Sequence, residues 1–259
     1  YETGFESPVR LSIRDCMDFT PALLEEADST LDDAEDSVTP QTLKDRVREA
    51  RLPVWYLMIE DAMNNGYGQS CRAWLLLCFL GHTKAQVLHG GYRAWVHAGM
   101  PVSTEMVKVE QTQFFIDQSL EFFLTKNEMK ASLETDAIIL DCRDQAEWVG
   151  ATSSPYGIDF CPRKGRIPGA KWLEWYDLME WREGGIPFLK APEQLKEVFE
   201  GFGIGLEDEV FIYCFKGARA SNVLVSMLLA GYKNARNYFG SWNDWSRDFS
   251  LPIDDTFEY

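Results

Sequence analysis

Histidine is scarce in this chain. Only His82, His89 and His97 occur among 259 residues, and the six cysteines (Cys16, Cys71, Cys78, Cys142, Cys161 and Cys214) include no CxxC pair. A structural zinc site is therefore not expected, because its ligand sets need clustered thiols and imidazoles at short spacing. No apolar run approaches the roughly 20 residues of a membrane-spanning helix. The longest, around Ala73 to Leu80, reads as a buried helix. The first residues, YETGFESPVR, have neither a basic start nor an apolar stretch, so no signal peptide is visible. Positive charge is also short: 25 Lys and Arg stand against 41 Asp and Glu, a net charge of -16. Such a surface repels nucleic acid and anionic lipid, whose phosphates need neutralising cations. Nucleic-acid and membrane partners are excluded on this ground. A small anionic substrate is not, since a local cationic pocket can sit on an acidic protein.

What is present is ordinary globular composition, with 46% apolar and 25% charged residues. The length suits one large domain or two modest ones and supports a core without disulfides. Scattered cysteines at this size fit a reducing compartment, hence the cytoplasm, and most read as small buried hydrophobes. The segment Glu25 to Asp36 holds seven acids and no base, and reads as an exposed loop or helix face.

The chain repeats itself. LGHTKAQVLHGGYRAW (Leu80 to Trp95) aligns without gaps to AGYKNARNYFGSWNDW (Ala230 to Trp245) at an offset of 150. An apolar helical run precedes each, CRAWLLLCFL in the first and SNVLVSMLLA in the second. Each helix should end at a glycine and lead to a short strand, QVLH or RNYF. PVRLSIRD (Pro8 to Asp15) also resembles AKWLEWYD (Ala170 to Asp177). The copies are unequal. The second has a strand, AIILD (Ala137 to Asp141), and a GRIPGA segment that the first lacks, so the first copy is expected to be missing its start or residues near Glu6. The stretch from Pro101 to Thr125 reads as an extended, solvated connector.

The segment VFIYCFKGARASN (Val210 to Asn222) carries the chemistry. VFIY is a β-branched and aromatic strand, and SNVLVSMLLAGY is a helix. Cys214 ends the strand, where ligands bind in α/β sheets, and faces a helix N-terminus whose free N–H groups favour a thiolate. Lys216 and Arg219 add two cations within five residues. This is a recipe for a reactive, anion-binding cysteine; the alternative reading is a buried structural thiol beside solvated charges.

AIILDCRDQAEWVG, GRIPGAKWLEW, YCFKGARAS and AGYKNARNYFGSWNDW, with VLHGGYRAWVHAGMPV in the first copy, resemble the rhodanese family and its tandem-domain sulfurtransferases. The resemblance implies an α/β fold of two rhodanese-like domains, each a mostly parallel central sheet flanked by helices. It implies an inactive domain over 1–105, a linker over 106–124 and a catalytic domain over 125–259. At the offset of 150, Cys214 falls opposite Asn64, and the loop NNGYGQS there carries no cation. Cys71 falls opposite Ser221. The first domain should thus be silent, packing and closing one side of the cleft.

By the same resemblance Cys214 is the persulfide-forming nucleophile, and Phe215, Lys216, Gly217, Ala218 and Arg219 form the loop that cradles sulfur and the departing anion. Arg143 would hold the donor's anionic tail; its structural alternative is a salt bridge with Asp141 or Asp144. Trp242 reads as core. The insert from Ala151 to Gly165 is rich in turn residues and leads into a basic run containing Arg163, Lys164 and Arg166. A Tyr-containing insert of this kind occurs in rhodaneses that move sulfur from polysulfide to a histidine-derived betaine. Tyr156 and at least one of those cations are therefore expected near the Cys214 loop. The implied reaction takes sulfur from thiosulfate or a similar small anionic donor to a thiol or cyanide-like acceptor. It calls for no metal and no organic cofactor. A non-catalytic binding module and a rhodanese-fold phosphatase are the competing readings. Phosphatases of this fold use Cys-x5-Arg, whereas Cys214 to Arg219 is the shorter Cys-x4-Arg.

Overall fold

The computed structural model describes residues 56–62, 68–82, 85–104 and 116–256. The expectations for the first 55 residues, including the Pro8 to Asp15 match and the acidic Glu25 to Asp36 segment, lie outside the described residues, as does Asn64. In chain order the elements are β1 (Tyr56–Met58), α1 (Gln69–Phe79), β2 (Ala85–Val87), α2 (Gly91–His97), β3 (Phe123–Leu124), α3 (Lys126–Ala131), β4 (Ile138–Asp141), α4 (Gln145–Trp148), β5 (Lys171–Trp172), β6 (Met179–Arg182), β7 (Ile186–Leu189), α5 (Pro192–Gly201), β8 (Val210–Tyr213), α6 (Ala218–Leu229), β9 (Ala235–Tyr238) and α7 (Ser241–Trp245).

Five strands form one parallel sheet in the order β3-β9-β8-β4-β5. Every residue of β8 is buried because helices cover it, which is why VFIY shows no polar alternation. β1 and β2 pair in parallel, and β6 and β7 form an antiparallel hairpin. The repeat appears as structure: α1, β2 and α2 follow the same order as α6, β9 and α7. Gly81 and Gly231, at φ 79° and 93°, follow the two long helices and end them in the left-handed conformation.

The two copies share a core. α1 packs against α6, and Cys71, Trp74 and Leu75 join Val223, Leu224, Ile212 and Phe239 in one apolar cluster. The end of the connector is not solvated as its composition suggested. Asp117 and Ser119 donate backbone N–H to the carbonyls of Leu80 and Phe79, and Ile116, Leu120 and Phe123 pack on Phe79 and Leu80. Those apolar side chains reach the surface left open at the C-terminus of α1, and their burial outweighs solvation of the backbone. No described helix is long and apolar enough to cross a membrane.

Candidate active site

β4 and β8 end side by side. Their register pairs Asp141 with Tyr213, and Cys142 donates its N–H to the Tyr213 carbonyl at 3.0 Å. The chain then leaves β8 as Cys214, Phe215 and Lys216 and turns at Gly217 into α6. Gly217 sits at φ 78°, and an added Cβ would lie 2.8 Å from the Phe239 ring and 3.0 Å from its carbonyl. Only glycine satisfies both demands. The turn aims the first N–H groups of α6 back at the sulfur.

Cys214 is 1% exposed. Burial would push its thiol up, but a hydrogen bond from the Cys142 thiol, the Arg219 charge and the backbone N–H groups of Ala220 and Lys216 outweigh that cost. The result is a thiol held well below its ordinary range. Three other described thiols go the opposite way. Cys71 is pushed up to about 12, first by burial and then by the Glu60 charge. Cys142 rises well above the usual range through burial and its contact with Cys214. Cys161 is raised mainly by burial. One described cysteine is thus built to be a thiolate.

Ser241 is a part of this site that the sequence reading missed. Its Oγ accepts the N–H of Cys214 at 3.1 Å and of Gly217 at 3.2 Å, donates to the Tyr238 carbonyl at 2.8 Å, and lies 3.9 Å from the Cys214 sulfur. Its φ of 53° is the one positive value outside glycine among the described residues. Such a backbone is uncommon for a serine and persists here because the hydroxyl pins both ends of the loop. The serine following Gly240 was the available signal, overshadowed by Trp242. Trp242 itself is core: it is fully buried, and its N–H donates to the Cys214 carbonyl at 3.0 Å.

Arg219 does not face the loop's mouth as a free cation. Its guanidinium makes bonds of 2.6 and 3.1 Å to the Glu147 carboxylate, and Asp144 lies 2.9 Å away. Burial works against its charge, yet Glu147, the Cys214 thiolate and Asp144 hold the arginine firmly protonated. It therefore acts on Cys214 from below, through the field rather than by contact with a ligand. Arg143 likewise corrects the sequence reading. It is fully buried, its Nε and Nη2 bind Asp141, and Nη2 donates to the Gly165 carbonyl at 2.8 Å. Its guanidinium stacks 4.7 Å from the Trp242 ring. This is the structural salt bridge, because a charge with no exposed surface is stable only when paired.

The insert divides. The Tyr156 ring packs 5.4 Å from Phe215 and 5.1 Å from Phe160, while two-thirds of the residue stays open to solvent. Lys216 places its ammonium 4.7 Å over the Phe160 ring. The basic run does not form the expected funnel. Arg163 donates to the carbonyls of Trp245, Ser246, Asp248 and Leu251, at the C-terminal end of α7. Lys164 donates to the Ala151 carbonyl. Arg166 pairs with Asp254 at 2.8 Å and stacks on Trp148. Carbonyls and a carboxylate near these side chains claim the donors first. The described residues hold no His, Cys, Asp and Glu cluster able to bind a metal.

The parallel α/β sheet thus ends a central strand at an acidified cysteine that precedes a helix N-terminus. Residues 125–248 match the model of the rhodanese-like domain. The chain is similar to the thiosulfate sulfurtransferase of Mus musculus, at 27% identity over 74% of this chain and 63% of the mouse protein. It is similar to the 3-mercaptopyruvate sulfurtransferase of Escherichia coli, at 28% identity over 71% and 63%. It also resembles the sulfur carrier protein TtuD of Thermus thermophilus, at 29% over 72% and 69%. The chain thus spans 63% of the length of the mouse and E. coli relatives. In fold it is similar to the anaerobic ergothioneine biosynthesis enzyme of Chlorobium limicola, solved with trimethyl histidine. The TM-score is 0.74 at 22% identity, covering 91% of this chain and 59% of that one.

Proposed function

We propose that this chain is a sulfurtransferase working through a Cys214 persulfide. The observation that carries the reading is the opposed chemistry of four described thiols: Cys214 is held acidic, by a loop that offers N–H groups and a buried cation, while Cys71, Cys142 and Cys161 are pushed up. The Cys214 thiolate attacks the outer sulfur of thiosulfate or a similar anionic donor. A new S–S bond forms, the old one breaks, and sulfite leaves with the bonding pair beside Lys216 and the loop N–H groups. A thiolate or cyanide then attacks the outer sulfur of the persulfide, takes it away and restores the Cys214 thiolate. No histidine base is needed, since the nucleophile is already ionised. The relatives named as thiosulfate and mercaptopyruvate sulfurtransferases support this reading. The free thiols Cys71, Cys78, Cys142 and Cys161 fit a reducing compartment such as the cytoplasm.

Tyr156 favours a second reading, sulfur transfer from polysulfide to a specific small metabolite. Its ring lies against Phe215 with the residue largely open, placing a hydroxyl-bearing aromatic beside the loop, and the fold likeness to a chain solved with trimethyl histidine points the same way. A phosphatase reading is weakened by Arg219, which is occupied by Glu147 and Asp144.

The test is intact mass after incubation with thiosulfate, mercaptopyruvate or polysulfide. The expected result is a gain of one sulfur atom on wild type and none on Cys214→Ser. Sulfur uptake persisting in that variant would sink the assignment.

A further inference from the structure

Of the cations that the sequence singled out for the donor, Lys216 is the one left for its anionic end in the reading above, because Arg143, Arg166 and Arg219 are paired with carboxylates. The described structure holds another arginine at this place. Arg72 lies in the first turn of α1, in the copy without a nucleophile. Its guanidinium stacks 5.1 Å from the Phe239 ring, the same ring that closes against Gly217 of the Cys214 loop. Among the described residues it has no carboxylate partner, and its Nε is buried with no hydrogen-bond acceptor. A half-buried cation whose Nε is buried and unpaired is costly unless something negative completes it.

We propose that Arg72 binds the anionic end of the sulfur donor, so that the N-terminal half completes the donor site of the C-terminal half. The proposal rests on the sulfurtransferase reading and names the group that reads the donor's charge.

The electrostatics agree with the geometry. The charge of the Cys214 thiolate supports the Arg72 proton against burial. Burial lowers the Lys216 ammonium, and repulsion from Arg72 and Arg247 lowers it further. Arg247 bonds the Phe160 carbonyl at 2.6 Å and the Asn243 side chain, and has no described carboxylate partner either. Lys216 stacks on Phe160 and Phe215 and Arg247 bonds the Phe160 carbonyl, while Arg72 approaches the loop from α1 over Phe239. On a chain of net charge -16, this is a place for a small anion. A dianion such as thiosulfate gains most from it, while neutral acceptors gain nothing.

The experiment compares wild type, Arg72→Met and Arg72→Lys in the full chain, with thiosulfate and mercaptopyruvate as donors and cyanide as acceptor. Arg72→Met should raise KM for thiosulfate by about 10- to 100-fold, the worth of a charge-assisted hydrogen bond, with a smaller fall in kcat. The rise should be smaller for the monoanionic mercaptopyruvate, and Arg72→Lys should recover part of it. A thiosulfate KM within about twofold of wild type in Arg72→Met would overturn the proposal. So would equal loss of kcat on both donors with no change in KM, which marks a packing residue. If Arg72→Met fails to fold, Arg72→Lys carries the same test, because a shortened reach must still raise KM. Failure of wild type to take up sulfur from any donor would instead overturn the sulfurtransferase reading itself.

Discussion

Replacing Glu147 with glutamine should make the protein less stable and its nucleophile more acidic at once. The Glu147 carboxylate and the Arg219 guanidinium are each 2% exposed and joined by bonds of 2.6 and 3.1 Å. At about 4 Å between charge centres and an effective dielectric of about 20, their attraction is about 4 kcal/mol. Removing one partner of a buried pair costs about 3–5 kcal/mol, because the other charge is left uncompensated. Asp144 lies 2.9 Å from the same guanidinium but without hydrogen-bond geometry, and is 30% exposed. It offsets part of the loss, which sets the expectation at the lower end, about 3 kcal/mol. At about 2–4 °C per kcal/mol for a chain of this size, the melting temperature should fall by about 6–12 °C. Arg219 would then direct more of its field at Cys214, so the thiol should fall further below the ordinary range. Glutamine keeps the shape of the side chain, so packing loss does not explain either change. Thermal melting by circular dichroism reads the first effect, and the pH dependence of Cys214 alkylation reads the second. A Tm within about 2 °C of wild type, or a thiol that becomes less acidic, would refute the argument that this pair couples core to nucleophile.

Two further outcomes follow from the loop. Cys142→Ala removes a hydrogen-bond donor to the Cys214 thiolate. The folded thiol of wild type is depressed, so its ionisation adds stability above the unfolded thiol's pKa, and that contribution is lost as pH falls through the folded value. In the variant the folded value should rise, moving the acid limb of alkylation and of sulfur uptake to higher pH; an unmoved limb would assign the acidity to Arg219 and the N–H groups alone. Gly217→Ala places a Cβ 2.8 Å from the Phe239 ring at a φ of 78°, and should cost more than about 1 kcal/mol and slow persulfide formation. Wild-type Tm and rate in that variant would show that the loop relaxes freely.

The sequence alone determined the α/β class, the helix–strand–helix repeat and the place of Cys214 between strand and helix. These rest on local signals: the β-branched run VFIY, the apolar helices ended by Gly81 and Gly231, and a cysteine between strand and helix. Such signals survive without tertiary context because backbone preference and side-chain periodicity are properties of neighbouring residues. Which cations face the site was decided only in three dimensions. Arg143 is claimed by Asp141, the local alternative already legible in the sequence, whereas Arg166 and Arg219 looked available by their spacing from motifs, yet Asp254 and Glu147 claim them from distant segments. Arg72 looked like one residue in an apolar helix of the first copy, and only the packing of α1 on α6 brings it to Phe239, which closes against the Cys214 loop. Ser241 gave no periodic signal at all, since its role is to accept two N–H groups across a turn. Charge pairing and hydrogen-bond geometry depend on distances between elements far apart in the chain, and folding alone sets those distances.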